Sequence, residues 1–380
     1  MEQLNLFDVI EKNIKENTME KFEGTLRVFE AFAGVGSQRM ALRNLGIEHE
    51  VVGIAEIDKF ALAAYEAIHG DCPNFGDISK IDPNTLPDMD LFTYSFPCQD
   101  LSVAGKQAGL ATGTRSGLLY ECQKVIEAKK PKYLLLENVK NLVGKKFKPE
   151  FDKWLEYLEG LGYKNYWEVL NAKHYGVPQN RERVFVVSIL DQEGYKFPQK
   201  QELTKRIKDI LEPVVDDKFY MNKPFKMVNK ANVVAELGIK GHDSVRRVYD
   251  IEGEAPTLTT MEGGHREPKI LEYKGQKVEL PSIAAVRGRY KEDGTTEQHL
   301  EVNTSRTSNT ITTVGKDNYA IEENYRVRKL TPLECWRLMG FTDTDLYKAQ
   351  KVCSNSQLYK QAGNSIVVNV LVEIFRNLFL

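Results

Sequence analysis

Cys98 follows Ser95-Phe96-Pro97, just after the apolar run Met89-Asp90-Leu91-Phe92-Thr93-Tyr94, which reads as a buried strand. Pro97 ends that strand, because proline has no N–H to give to a ladder. Cys98 is thereby expected at the first residue of a loop, at the strand's carboxyl end, where ligands and chemistry collect in open α/β sheets. A thiol placed there is either a nucleophile, exposed enough to react and rigid enough to aim, or a half-buried cysteine that closes a strand. A second buried strand, Tyr133-Leu134-Leu135-Leu136, ends in Glu137-Asn138-Val139 and brings a carboxyl to the same edge as Cys98. Gln179-Asn180-Arg181-Glu182-Arg183 leads into a further strand, Arg183–Ile189, with Arg181 and Arg183 on one face. Several polar groups gathered at one sheet edge favour a site over a solvated rim.

The elements that position these groups begin with a strand over Leu26–Phe32. The turn Ala33-Gly34-Val35-Gly36-Ser37 and a helix from Gln38 to about Leu45 follow. Strand, glycine turn and helix make a nucleotide-binding unit, in which glycines admit the ligand and the helix end offers N–H groups. The third glycine of the dinucleotide fingerprint is missing, so this stretch alone fits a tight turn as well. Val51–Ala55 is the second strand, ending at Glu56, about 20 residues past the glycines, where a carboxylate can accept both hydroxyls of a ribose. Asp58 caps the helix Phe60–Ile68. Asp77, in Gly76-Asp77-Ile78, either accepts from an adenine amino group or caps a turn. Asp100–Thr114 is polar, bears glycine and has no period, which suits a lid beside the cysteine. Arg115–Lys129 and Phe151–Leu161 are helical, and Trp167–Leu170 is a strand.

From about residue 191 the alternation stops. Residues 191–325 carry turns and short β-like runs, with an echo between Ala255–Thr260 and Ser308–Thr313 that is too short for a repeat. A loop-rich region of this kind suits a surface that reads a variable partner. Helical period returns at Leu330–Met339, with Thr331 as N-cap, Pro332 at N1 and Glu334 at N3. Gln361-Ala362-Gly363-Asn364-Ser365 is expected to open a last apolar helix to Leu380.

The 380 residues suffice for two domains. With 42% hydrophobic and 28% charged residues the chain reads as globular. No apolar stretch reaches the roughly 18 residues of a membrane span, and residues 1–24 form a polar leader without a secretory pattern. Cys72, Cys98, Cys122, Cys335 and Cys353 are odd in number and scattered, which argues against a disulfide framework or a zinc site and for a reducing cytoplasm. Net charge is −2, so charge does not announce nucleic acid. Basic residues do cluster locally, at Lys145, Lys146 and Lys148, at Arg246 and Arg247, at Arg287, Arg289 and Lys291, and at Arg326, Arg328 and Lys329.

Taken in order, Phe32-Ala33-Gly34-Val35-Gly36, Glu56, Gly76-Asp77-Ile78, Phe96-Pro97-Cys98-Gln99, Glu137-Asn138-Val139, Gln179–Arg183, Arg328–Glu334 and Gln361–Ser365 resemble the motif series of bacterial and phage cytosine-C5 DNA methyltransferases. Each motif is weak alone; the ordered set is specific and spans residues 29 to 369. Many relatives have Asp-Leu-Phe-Ala-Gly where this chain has Glu30–Gly34, and Trp where Ile57 stands.

The resemblance implies an α/β fold: a Rossmann-like mixed sheet flanked by helices, binding S-adenosylmethionine (SAM), with a smaller loop- and strand-rich target-recognition domain. The expected catalytic domain is 25–190 plus 355–380, and the recognition domain 191–354. The resemblance places SAM against Phe32, Gly34, Gly36, Glu56, Ile57, Asp77, Ile78, Pro97, Asn364 and Ser365. It makes Cys98 the nucleophile toward cytosine C6, Glu137 the acid at ring N3, and Arg181 and Arg183 their cationic neighbours. A cation such as Arg183 would help ionise a thiol that titrates near 8.5 when free. Duplex DNA is the implied partner, met by Gln99, Ser102, Arg115, Arg287, Arg289 and Thr310. The expected state is a monomer, with any cognate restriction endonuclease acting separately. Three rivals are a tRNA cytosine methyltransferase on the same catalytic domain, a nicotinamide oxidoreductase and a DNA-binding module with a dead site. The long recognition region, the missing third glycine and the intact Cys98, Glu137 and Arg183 argue against them in turn.

Overall fold

A computed structural model describes residues 22–97, 116–273, 283–290, 296–303, 319–320 and 325–380. Its first sheet is built from β1 (Leu26–Ala31), β2 (His49–Ala55), β3 (Leu91–Tyr94), β4 (Tyr133–Val139), β5 (Tyr163–Asn171) and β6 (Glu182–Leu190). The strand order is β2-β1-β3-β4-β6-β5. The β2/β1, β1/β3 and β3/β4 pairs are parallel, and β6 runs antiparallel to β4 and β5. The helices α1 (Ser37–Leu45), α2 (Lys59–His69), α3 (Leu119–Lys129) and α4 (Lys148–Gly160) lie between the strands in the chain.

All four residues of β3 are buried, as expected of a parallel strand covered on both faces. Phe29, Phe92, Tyr94, Leu134, Leu136 and Val184 share one core with Val125 and Ile126 of α3 and with Phe151, Trp154 and Leu158 of α4. That packing fixes the strand ends that carry the site.

Compactness divides the chain into two units. The first takes residues to Val214, Ile251–Pro268 and Leu330–Leu380; the second takes Val215–Asp250 and Lys269–Lys329. In the second unit β7 (Tyr220–Met221), β8 (Phe225–Lys230), β9 (Val233–Leu237), β10 (Arg247–Tyr249), β11 (Lys269–Tyr273) and β15 (Tyr325–Lys329) form one sheet, with the short helix α5 (Asp243–Arg246). The strands β12 (Ile283–Tyr290), β13 (Thr296–Asn303) and β14 (Tyr319–Ala320) form another. The first unit resumes with α6 (Pro332–Arg337), α7 (Asp343–Gln350), α8 (Asn355–Asn364) and α9 (Val368–Phe379). The amphipathic α9 buries Leu371, Ile374, Phe375 and Leu378 and packs along α1.

Local expectations hold where a cap fixes them. Asp58 accepts from Phe60 N and Ala61 N, and Thr331 with Glu334 forms a capping box. Four expectations are corrected. The strand before Cys98 ends at Tyr94, so Ser95–Pro97 is already loop. Phe32 is not strand but a left-handed residue with φ 58°. Gln361–Asn364 closes α8 and does not open the last helix, which starts at Val368. Gly363 fits inside α8 because a Cβ there would stand 2.0 Å from Thr259 O.

The fourth correction concerns domain boundaries. Of the residues 191–354 expected to form one separate domain, 191–214, 251–268 and 330–354 group with the first compact unit. Residues 251–268 are tied in by long-range pairing: Asn180 N donates to Ala255 O (2.9 Å) and Leu258 N to Gln179 Oε1 (3.2 Å).

Candidate active site

The β1–α1 turn is held from several directions. Phe32 N donates to Ala55 O at 2.8 Å, and Gly36 N to Ala33 O at 2.9 Å. The left-handed φ of Phe32 is uncommon outside glycine, and such strain clusters at ligand clamps. From the end of β2 the Glu56 carboxylate reaches across, accepting from Gly34 N (2.9 Å) and Asp58 N (2.7 Å). An ionised carboxylate has about four acceptor positions, so capacity remains for ligand hydroxyls. Ile57 beside it is 76% exposed, an apolar side chain at the rim. Asp77 accepts from Ser79 N and Oγ and starts the short turn Ile78–Lys80. It caps as one reading expected, and it also lines the cavity.

That cavity holds about 510 Å³ and lies wholly within the first unit. It is lined by Phe32, Gly34, Glu56, Ile57, Asp77 and Ile78. Ser95, Phe96, Pro97, Glu137, Arg181 and Arg183 line it too, as do Asn364 and Ser365 at the end of α8. Gly36 lies just behind, where a Cβ would meet His69 Nε2 at 2.6 Å.

Glu137 sits on β4 beside the antiparallel β6, where Val139 registers with Arg183. Its carboxyl is buried and 3.2 Å from Arg183 Nε. Burial pushes its pKa above the ordinary carboxyl value, against the pull of Arg183 and then Arg181. The two arginines play different parts. Arg183 is half-buried and faces Glu137. Arg181, one residue before β6, is buried and donates to the carbonyls of Leu258 (3.0 Å), Gly363 (3.0 Å) and Ser365 (2.8 Å). It holds the wall together, and it acts on Glu137 through its charge.

Cys98, Gln99, Ser102, Arg115 and Thr310 lie outside the described residues. Pro97, next to Cys98, lines the cavity, and Asn138 Nδ2 donates to Phe96 O at 3.1 Å. This hydrogen bond ties the end of β4 to the segment leading into Cys98. Arg287 and Arg289 are on β12 of the second unit, in register with His299 and Glu297.

Sequence reasoning missed three groups. Asn138 was visible as the neighbour of Glu137. Lys360 lines the cavity and bridges Asp58 (3.1 Å) and Glu262 (3.6 Å), with no local signal. Glu30 is fully buried inside β1; its signals were a charge within an apolar run and its place where many relatives carry Asp. Burial pushes its carboxyl up to about 7, although Tyr65 and Arg39 pull it down.

A mixed sheet flanked by helices, with a glycine turn, a strand-end carboxylate and a second polar strand end on one cavity, has the layout of the Rossmann-like class. Comparison specifies the class. Residues 26–380 match the C-5 cytosine-specific DNA methylase family model. The Type II methyltransferase M2.ScrFI of Lactococcus lactis subsp. cremoris is 41% identical, across 93% of this chain and 99% of its own. The orphan methyltransferase M.SPBetaI of Bacillus phage SPbeta is 36% identical, across 93% and 97%. Among solved structures, the S. pombe Dnmt2 methyltransferase superposes with a TM-score of 0.63 at 20% identity, over 94% of this chain and 98% of that one; at that identity the likeness concerns the fold. The chain belongs to the C-5 cytosine-specific DNA methylase family. It is a DNA (cytosine-5-)-methyltransferase. No helix among the described residues is long and apolar enough to cross a membrane.

Proposed function

We propose that the chain methylates carbon 5 of a cytosine within a specific duplex sequence, with SAM bound at the Phe32–Gln38 turn and Cys98 as nucleophile. The observation that carries this reading is the single cavity shared by the Glu56 strand end and the Pro97–Glu137–Arg183 edge. The residues fit the cofactor. Glu56 offers acceptor capacity for ribose hydroxyls, Ile57 and Phe32 offer apolar surface for an adenine, and Asp77 offers an acceptor at the rim. Bound SAM supplies an electrophilic sulfonium methyl.

The chain's own groups supply the rest. Cytosine C5 is a poor nucleophile, and covalent attack divides one hard step into easier ones. The Cys98 thiolate forms a bond to C6, and the C5=C6 pair moves through the ring to N3. Glu137, whose hold on a proton is strengthened by burial, gives its proton to N3. C5 of the resulting enamine takes the methyl, and Glu137 recovers the N3 proton. Loss of the C5 proton to a base then expels the thiolate and restores the double bond. Arg183 orients Glu137 and favours the thiolate. The base reaches the cavity only by leaving the duplex stack, at a cost of a few kcal/mol.

The second unit is the target-recognition domain in this reading, and the cytoplasm is the compartment, where the free Cys72, Cys122, Cys335 and Cys353 stay reduced. Bisulfite sequencing of duplex DNA incubated with the protein and SAM tests the function: one recurrent motif with 5-methylcytosine is expected, and random or absent methylation would sink it.

Two substitutions test the parts. Glu56→Ala removes the ribose acceptor and should weaken SAM binding at least tenfold, the scale of a charge-assisted hydrogen bond, with the fold intact. Unchanged affinity in calorimetry would overturn the assignment. Neutralising Arg287 and Arg289 should weaken DNA binding and lower the slope of log affinity against log salt by about one for each phosphate no longer neutralised. If affinity and slope stay as they were, the two arginines are solvated surface.

A further inference from the structure

The helix behind the cofactor turn has an unusual cap. Its N-cap is Gly36, left-handed at φ 78°, which has no side chain to accept from the first-turn N–H groups. The acceptor comes instead from the strand beneath: Glu30 Oε1 takes the hydrogen bond of Arg39 N at 3.1 Å. The second oxygen, Oε2, accepts from Tyr65 Oη at 2.8 Å. Glu30 and Tyr65 are both fully buried. Tyr65 shares one face of α2 with His69, four residues on, and His69 Nε2 lies 3.1 Å from Val35 O. Burial and the nearby arginines hold the His69 ring down to about 3, so it is neutral and Nε2–H is the donor. The fit is close, since a Cβ on Gly36 would stand 2.6 Å from His69 Nε2 and 2.7 Å from the Tyr65 ring. Phe32, Val35 and Gly36 therefore each bond to, or pack on, a group in β2 or α2.

We propose that Glu30 is a positioning residue for the cofactor: gripped by Tyr65, it caps α1 in place of the missing Gly36 side chain and so sets the shape of the turn on which SAM lies. The proposal rests on the reading that this turn holds SAM. A buried carboxyl inside a strand is costly unless satisfied, and here both oxygens serve the turn. Glu30 reaches no part of the cavity itself, so it acts on the reaction only through the turn.

The test compares Glu30→Ala, Glu30→Gln and Tyr65→Phe in the full-length protein, reading SAM affinity by calorimetry, KM for SAM, KM for DNA, kcat and melting temperature. Glu30→Ala removes the cap and should raise the dissociation constant and KM for SAM by roughly tenfold. Tyr65→Phe removes one donor and should raise both by roughly threefold. Glu30→Gln keeps an acceptor for Arg39 N and should restore values near wild type. In all three, kcat at saturating SAM and KM for DNA should be unchanged. The proposal is overturned if folded Glu30→Ala binds SAM as wild type does, if Glu30→Gln is as weak as Glu30→Ala, or if kcat falls while SAM affinity stays. Should Glu30→Ala fail to fold, Tyr65→Phe decides, and unchanged SAM affinity there overturns it as well. Glu56→Ala is the control. If that variant also binds normally, SAM does not lie on this turn; if it binds weakly while the Glu30 and Tyr65 variants do not, only the role of Glu30 falls.

Discussion

Cys98→Ser should all but abolish methyl transfer, by on the order of 10⁴-fold or more, the scale on which a covalent nucleophile is lost. A serine hydroxyl is scarcely ionised at neutral pH, and the Glu137 carboxyl, held 3.2 Å from Arg183 Nε, is not a strong base that would activate it. SAM binding should survive, because the substitution leaves the turn and Glu56 as they are. DNA binding should survive too, because phosphate contacts dominate affinity. A cysteine that only closes a strand would give the opposite pattern, a small stability change and near-normal transfer. DNA with 5-fluorocytosine at the target sharpens the test. Fluorine does not leave as a proton, so elimination stalls after methyl transfer and the protein should stay joined to DNA. A denaturing gel reads the adduct and peptide mapping locates it. An adduct on another cysteine, or none with active protein and SAM present, would remove Cys98 from the mechanism.

The features legible in the sequence are local. Strand β1, the glycine turn and α1 announce themselves by an apolar run, two glycines and a helical period within about 20 residues, and Asp58 and Thr331 act on groups two or three residues away. Arg181 shows why other roles stay hidden. Its guanidinium binds carbonyls 77, 182 and 184 residues further along the chain, and no spacing rule connects such positions. Residues 251–268 read as part of a loop-rich insertion for the same reason, since their ties to Gln179 and Asn180 are tertiary. Gln361–Ser365 misleads because Gly-Asn-Ser is ordinarily a helix breaker. Here Gly363 lies within α8, and it has to be glycine because Thr259 O occupies the space a side chain would need. The role of Glu30 is hidden because its partner Tyr65 lies 35 residues further along the chain.

Glu137→Gln should lower kcat by about 10² to 10⁴-fold, the usual weight of a general acid, and should change the pH profile in one definite direction. Burial raises the Glu137 pKa above its ordinary 4.5, so the protonated acid that the step at N3 needs persists to higher pH than in a free carboxyl. Wild-type turnover should therefore fall as pH rises through that raised value. The amide in the variant cannot ionise, so this limb should vanish from the residual activity. Stability has its own sign. A carboxyl with a raised folded pKa contributes fully below the ordinary value and loses that contribution as pH climbs through the folded one. The glutamine variant lacks this loss and should gain on wild type in alkaline melting experiments. The amide oxygen can still accept from Arg183 Nε, which stands 3.2 Å from the wild-type carboxyl, so the cavity should keep its shape and SAM affinity should hold. If Glu137 were only a partner for Arg183, the substitution would leave kcat within about twofold and shift melting alone, and that outcome would take the proton at N3 away from Glu137.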